Sequence, residues 1–252
     1  MLRSLLSLEG YTLEARDGAI GHCHDFLFDD RDWAVRYMVA ATGRWLTGRK
    51  VLISPAFLDR PDWETQRFPV DLTQRQIEEA PPLDADAPVS RRYEQAYHTF
   101  FSLFPYWAGS STWANNPDPS GILRPVETPP LPAEEEESGA VHLRSAREIA
   151  GYHLAASDER AGRVADFLVN DHTWAIHAVV VKDMPLVPGH QVLVPAARVE
   201  SIDWAGRELR TTLSAEAVRQ AEPFDPDQPL SAESEIVLYD AHGRPRGHGG
   251  PS

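Results

Sequence analysis

Three shortages bound what this 252-residue chain can be. A single cysteine, Cys23, rules out a disulfide within the chain and any paired-cysteine metal or redox motif. Lysine is nearly absent, only Lys50 and Lys182, and the net charge is −14. That sign repels phosphate backbones and sets nucleic acid aside as a partner. No run of roughly 18 apolar residues occurs, so no membrane-crossing helix is expected and any membrane contact would be peripheral. The opening MLRSLLSLEG has an apolar stretch too short for a secretory signal and broken by Glu9. The expected location is the cytoplasm, at most against the inner face of a membrane. Gly-x-Ser-x-Gly and His-Glu-x-x-His are also missing. With no convergent reactive motif, the chain is read as a non-enzyme without a cofactor.

What is present is a repeat. GYTLEARDGAIGHCHDFLFDDRDWAVRYMV, from Gly10, aligns without gaps on GYHLAASDERAGRVADFLVNDHTWAIHAVV, from Gly151, at a constant offset of 141. Gly10 pairs with Gly151, Tyr11 with Tyr152, Asp17 with Asp158, Gly21 with Gly162, Asp25-Phe26-Leu27 with Asp166-Phe167-Leu168, and Trp33-Ala34 with Trp174-Ala175. The register continues through Val51-Leu52 and Val192-Leu193 to Asp62-Trp63 and Asp203-Trp204. The chain is a tandem duplication.

Each copy reads as β. In the first, YTLEA, IGHCHDFLF, VRYMVAA, KVLIS and RFPVDL are short runs of branched and aromatic residues separated by turn signals. Asp17-Gly18 predicts a tight hairpin, whereas the second copy has Asp158-Glu159 there. Thr73-x-x-Gln76 predicts a capping box opening a short helix, and SAEAVRQA from Ser214 is its counterpart. Five short strands in so few residues predict a small closed barrel.

These residues resemble the PRC-barrel family. The pattern is carried by Gly10, Asp17-Gly18, Gly21 to Leu27 and Gly48 to Pro55, and again by Gly151, Asp158, Gly162 to Leu168 and Gly189 to Pro195. The family includes the cytoplasmic domain of the photosynthetic reaction-centre H subunit and the C-terminal domain of the ribosome-maturation factor RimM. The resemblance implies a mainly β fold of two small PRC-type β-barrels in tandem, used to scaffold or dock other proteins beside a bacterial membrane or photosynthetic complex. The expected layout is a first barrel with a short helix over 1–90, an aromatic segment over 91–113 and a Pro-rich acidic linker over 114–140. A second barrel over 141–231 and a loose tail over 232–252 follow. The alternative reading is a metal- or small-molecule-responsive regulator that uses the cleft between the barrels.

The stretch GHCHDFLFDD, from Gly21, tests that alternative. In a regular strand His22, His24 and Phe26 share one face, and Cys23, Asp25 and Leu27 the other, so His-Cys-His cannot close on one metal. His22 and His24 alone are too few for a zinc site. The sibling has Arg163, Val164 and Ala165 in these places. Val164 opposite Cys23 points to a core slot for the thiol. GRWLTGRK, from Gly43, lacks the Lys-Ser/Thr pair of a phosphate loop. The repeated acids Asp25/Asp166, Asp30/Asp171 and Asp62/Asp203 are expected to serve turns and hydrogen bonding, with acid/base work the competing reading.

Between the copies, Tyr93, Tyr97, Phe100, Phe101 and Phe104 fall on one face of a helix that Pro105 would end, extended by Tyr106, Trp107 and Trp113. Either this face packs on a barrel, or it is the partner-binding surface for another protein or a twin subunit.

Overall fold

The computed structural model describes residues 1–43, 46, 48–83, 89–107, 143–182 and 190–226. The linker at 114–140, the tail at 232–252 and Trp113 lie outside the described residues. The fold is mainly β, built on two sheets.

In the first repeat, β2 (Thr12–Ala15), β3 (Gly18–Asp29), β4 (Ala34–Ala41), β5 (Lys50–Ile53) and β6 (Arg67–Val70) occupy the five predicted runs. They lie in the order β5-β4-β3-β2-β6, with only the β2–β6 pair parallel. In the second repeat, β8 (His153–Ala155), β9 (Arg160–Asn170), β10 (Ile176–Lys182), β11 (Val192–Pro195), β12 (Val199–Asp203) and β13 (Glu208–Thr211) give the order β11-β10-β9-β8-β13-β12. The closed barrels expected from the sequence are not formed among the described residues: the named strands run out at β5 and β6 in one sheet and at β11 and β12 in the other, with only isolated bridges beyond, from Leu58 and Asp62 to β6 and from Pro223 to β11.

The helices begin where their caps dictate. Thr73 and Gln76 make both bonds of a capping box at α1 (Gln74–Glu79). Ser90 Oγ accepts from Tyr93 N at α2 (Arg91–Phe100). Ser214 Oγ accepts from Ala217 N at α4 (Ala215–Arg219). Asp17 and Asp158, read as turn formers, also tie each helix to its hairpin: Asp17 Oδ1 accepts from Gln74 N at 2.7 Å and Asp158 Oδ1 from Ala215 N at 2.8 Å. That shared bond explains why the aspartate recurs in both copies while the following glycine does not.

The duplication extends to unusual backbone. Trp33 and Trp174 have φ of 52° and 58°, and Gln66 and Arg207 have 54° and 49°, both pairs at the repeat offset. Bulky residues rarely enter this left-handed region, so the shared excursions mark shared local architecture. Both long strands also carry a bulge at equivalent places: β3 pairs Cys23 with Ala40 and then Asp25 with Val39, and β9 pairs Val164 with Val181 and then Asp166 with Val180. The extra residue, His24 or Ala165, shifts the side-chain alternation. This corrects the face assignment made for a regular strand: Cys23, Phe26 and Phe28 are buried, while Leu27 is half-buried and His22 exposed.

Two further strands have no counterpart among the predicted runs. β1 (Leu2–Ser4) and β7 (Leu143–Ser145) are both Leu-Arg-Ser, again at the repeat offset. β1 pairs antiparallel with β9, and β7 with β3. Each repeat's first strand therefore lies in the sheet of the other repeat. After β7 the short α3 (Ala146–Ile149) leads back to the second repeat. The two compact units accordingly cut across the repeats: one comprises 1–4, 148–170 and 176–252, the other 5–147 and 171–175.

Candidate functional site

A group of buried ionisable side chains in the larger unit gathers around α2. Glu94 and His98, one helical turn apart, lie beside Tyr97 on its buried face, and all three are almost wholly enclosed. β4 contributes Arg36 and Tyr37, and the chain after α2 contributes Tyr106 and Trp107. Tyr106 Oη donates to Glu94 Oε1 at 2.6 Å, and Tyr37 Oη donates to the same oxygen at 3.1 Å. Arg91 Nη1 donates to Glu94 Oε2 and to Tyr106 Oη, each at 2.9 Å. Tyr37 Oη also lies 3.0 Å from His98 Nε2. The Arg36 guanidinium carbon lies 4.0 Å from the centre of the Tyr106 ring, and that of Arg91 4.4 Å from the Trp107 ring. Asp32 Oδ2 accepts from Arg36 Nη2 at 2.6 Å.

Burial sets the electrostatics. It raises the Glu94 carboxyl to about 7, against the opposing pull of Arg91 and of the bonds from Tyr106 and Tyr37. It lowers His98 to about 4, against the neighbouring carbonyls of Phe104 and Leu103. Burial also pushes the hydroxyls of Tyr37 and Tyr106 well up. Near neutral pH, then, the imidazole and both phenols are uncharged, and Glu94 alone in this group changes state.

The Tyr37 hydroxyl has one proton to give. With Glu94 ionised Tyr37 donates to the carboxylate and accepts from His98 when the imidazole carries its proton on Nε2. Donation from Tyr37 to His98 requires the tautomer protonated on Nδ1, so protonation of Glu94 reverses that bond only together with a shift of the imidazole proton.

The aromatic residues read as partner-binding candidates have mixed positions. Tyr97, its hydroxyl accepting from Ser54 N at 2.9 Å, and Tyr106 are buried. Tyr93, Phe101, Phe104 and Trp107 are half-buried. Phe101 packs on Phe57 with ring centres 5.1 Å apart. Phe100 is 42% exposed, and in the other unit Trp204 is 62% exposed. Tyr93 donates through its hydroxyl to the carbonyl of Pro81 at 3.0 Å.

His22 and His24 are not brought to a third ligand. Among the described residues no group of three or more His, Cys, Asp or Glu side chains could hold a metal. Arg147 Nη1 lies 3.2 Å from His24 Nδ1, and burial, Lys50 and Arg147 all lower the affinity of this imidazole for a proton. Burial pushes the Cys23 thiol up, leaving it protonated in the core.

Asp25, Asp166, Asp62 and Asp203 hold backbone amides, and Asp30 holds an arginine side chain. Asp25 Oδ1 accepts from Phe26 N at 2.7 Å and Arg147 N at 3.0 Å, and its Oδ2 accepts from Ser145 Oγ at 2.6 Å. Asp166 repeats this, accepting from Phe167 N at 2.7 Å and from Ser4 Oγ. Asp30 Oδ2 accepts from Arg144 Nε at 2.7 Å. Asp62 accepts from Glu64 N and Thr65 N, and Asp203 from Gly206 N.

Sequence reasoning passed over Arg36, Tyr37, Glu94 and His98. One signal for them was the difference between copies: Asp29, Asp32, Arg36 and Tyr37 stand opposite Asn170, Thr173, His177 and Ala178. In the first copy Tyr37 reaches Glu94 and His98 of α2, and Arg36, held by Asp29 and Asp32, lies over Tyr106 just after it. Comparison of the chain with protein-family models gives no match, and comparison with curated proteins gives none.

Proposed function

We propose that this chain is a non-enzymatic docking or scaffold module built from two PRC-type repeats, with another protein as its partner. One observation carries the reading. Among the acids that the duplication preserves, Asp17/Asp158, Asp25/Asp166 and Asp62/Asp203 are engaged in backbone hydrogen bonds that hold helices, strands and turns. What has been kept twice is architecture, and a reactive centre would show the opposite pattern. Phe100 and Trp204 supply exposed aromatic surface of the kind that anchors protein interfaces. A position beside a bacterial membrane or photosynthetic complex follows from the resemblance alone and is part of the proposal.

The test compares wild type with Phe100→Ser and Trp204→Ser in affinity purification from the native cell, with circular dichroism verifying the fold. A stoichiometric partner whose recovery falls at least tenfold with either substitution supports docking. Recovery of the chain alone, or of a partner indifferent to both substitutions, overturns it.

A further inference from the structure

Two identical tripeptides, Leu2-Arg3-Ser4 and Leu143-Arg144-Ser145, open the two repeats, and each lies in the sheet of the other repeat. The register is equivalent on both sides: Leu2, Arg3 and Ser4 face Asn170, Val169 and Leu168, and Leu143, Arg144 and Ser145 face Asp29, Phe28 and Leu27. The receiving site is built from the same motif each time. The serine hydroxyl at the end of the incoming strand donates to the aspartate of Asp-Phe-Leu in the opposite repeat, Ser145 to Asp25 and Ser4 to Asp166. The leucine enters a core: Leu2 packs with Leu168, Ala178, Val180 and Leu193, and Leu143 is 8% exposed. The second repeat lends a further segment, since Trp174 stacks on Phe26 and Phe68 with ring centres 5.9 Å apart and its carbonyl accepts from Val35 N.

We infer that each repeat is a strand-addition receptor for the Leu-Arg-Ser segment of a second copy of itself, and that the chain is such a strand-exchanged pair joined by a linker. The partner that this module fits is its own duplicate. The recognition is backbone pairing along one edge, a buried leucine and a serine–aspartate clamp. The two sides are related as a self-complementary pair would be, serine to aspartate in both directions. A connection through residues 108–142 is then unnecessary for holding the pieces together, because each repeat already carries part of the other's fold. The inference is independent of the docking proposal and concerns a different surface.

The experiment uses the full chain with a site-specific protease sequence placed within residues 114–138. After complete cleavage, native mass spectrometry and gel filtration at about 100 nM are expected to show both fragments in one species of the uncut mass, with the tryptophan emission of the uncut protein. Fragments that separate on this dilution, folded or not, overturn the inference. A second arm assigns the association to the strands. Ser4→Ala with Ser145→Ala, and separately Asp25→Asn with Asp166→Asn, are expected to weaken association of the cleaved fragments at least tenfold, while Glu79→Gln, at an exposed ion pair, leaves it unchanged. Cleaved fragments that stay together as firmly in both clamp variants as in wild type overturn the assignment to Leu-Arg-Ser.

Discussion

At the scale of single residues, Gly21 and Glu94 are where small changes have the largest expected effects. Gly21 has φ of 124°, and a Cβ there would fall 2.0 Å from the carbonyl oxygen of Ala41. Gly21→Ala is expected to cost about 3 kcal/mol or more, or to prevent folding. Gly10→Ala, at φ of 84° with no atom within 4 Å of the new methyl, is expected to cost about 1–2 kcal/mol. Urea unfolding of the two variants checks the ranking. Glu94 makes stability depend on pH with an unusual sign. Its folded value of about 7 lies above the ordinary carboxyl value of 4.5, so the native state holds the proton more tightly and this residue's contribution falls as pH rises from about 4.5 to about 7. His98 acts oppositely: its folded value of about 4 lies below the ordinary imidazole value of 6.5, so its contribution is lost as pH falls from about 6.5 to about 4. Over the shared range the two slopes oppose each other. Glu94→Gln is therefore expected to match wild type near pH 4.5, to exceed it above pH 7 by something on the order of 3 kcal/mol, and to expose a steep acid-side loss. Urea titrations at pH 4.5, 6 and 8 measure it, and a constant difference across that range would contradict the account.

At the scale of elements, the caps and the short end strands behave differently. Thr73→Ala at α1 is expected to cost about 1 kcal/mol, read by urea unfolding. Phe100→Ser, on the exposed side of α2, is expected to stay within about 0.5 kcal/mol of wild type. The capping box and all five strands of the first repeat were legible because each rests on local chemistry: a side-chain oxygen three residues from an amide, or a run of branched residues between turns. β1 and β7 were not legible. Three residues are too few to display a period, and their partners lie more than a hundred positions away. The bulge at His24 was equally hidden, since an added residue in one strand is defined only by the strand opposite. In the candidate site the aromatic face of α2 was visible in its spacing. Glu94 and His98 drew no attention because a carboxylate and an imidazole among aromatics look like solvent-facing punctuation until Tyr37 and Tyr106 are brought to them.

At the scale of the molecule, the chain passes between its two compact units at 4/5, 147/148, 170/171 and 175/176. A unit that unfolds takes with it segments whose neighbours in sequence belong to the other. One cooperative transition is expected in calorimetry, with van't Hoff and calorimetric enthalpies in agreement, although the sequence is a two-fold repeat. Two resolved transitions would show that the interleaving does not couple the units. The amino-acid sequence by itself determined the duplication, the five strand runs of the first copy, the capped helices after each copy and the core place of Cys23. Each of these depends on residues close together in the chain, or on similarity between two copies that can be laid side by side. Only the tertiary structure decided that the sheets stay open, that α2 encloses a titrating carboxyl, and that each repeat's first strand completes the other's sheet. Edge pairing and burial are competitions among distant segments for one place, and a sequence read locally does not contain their outcome.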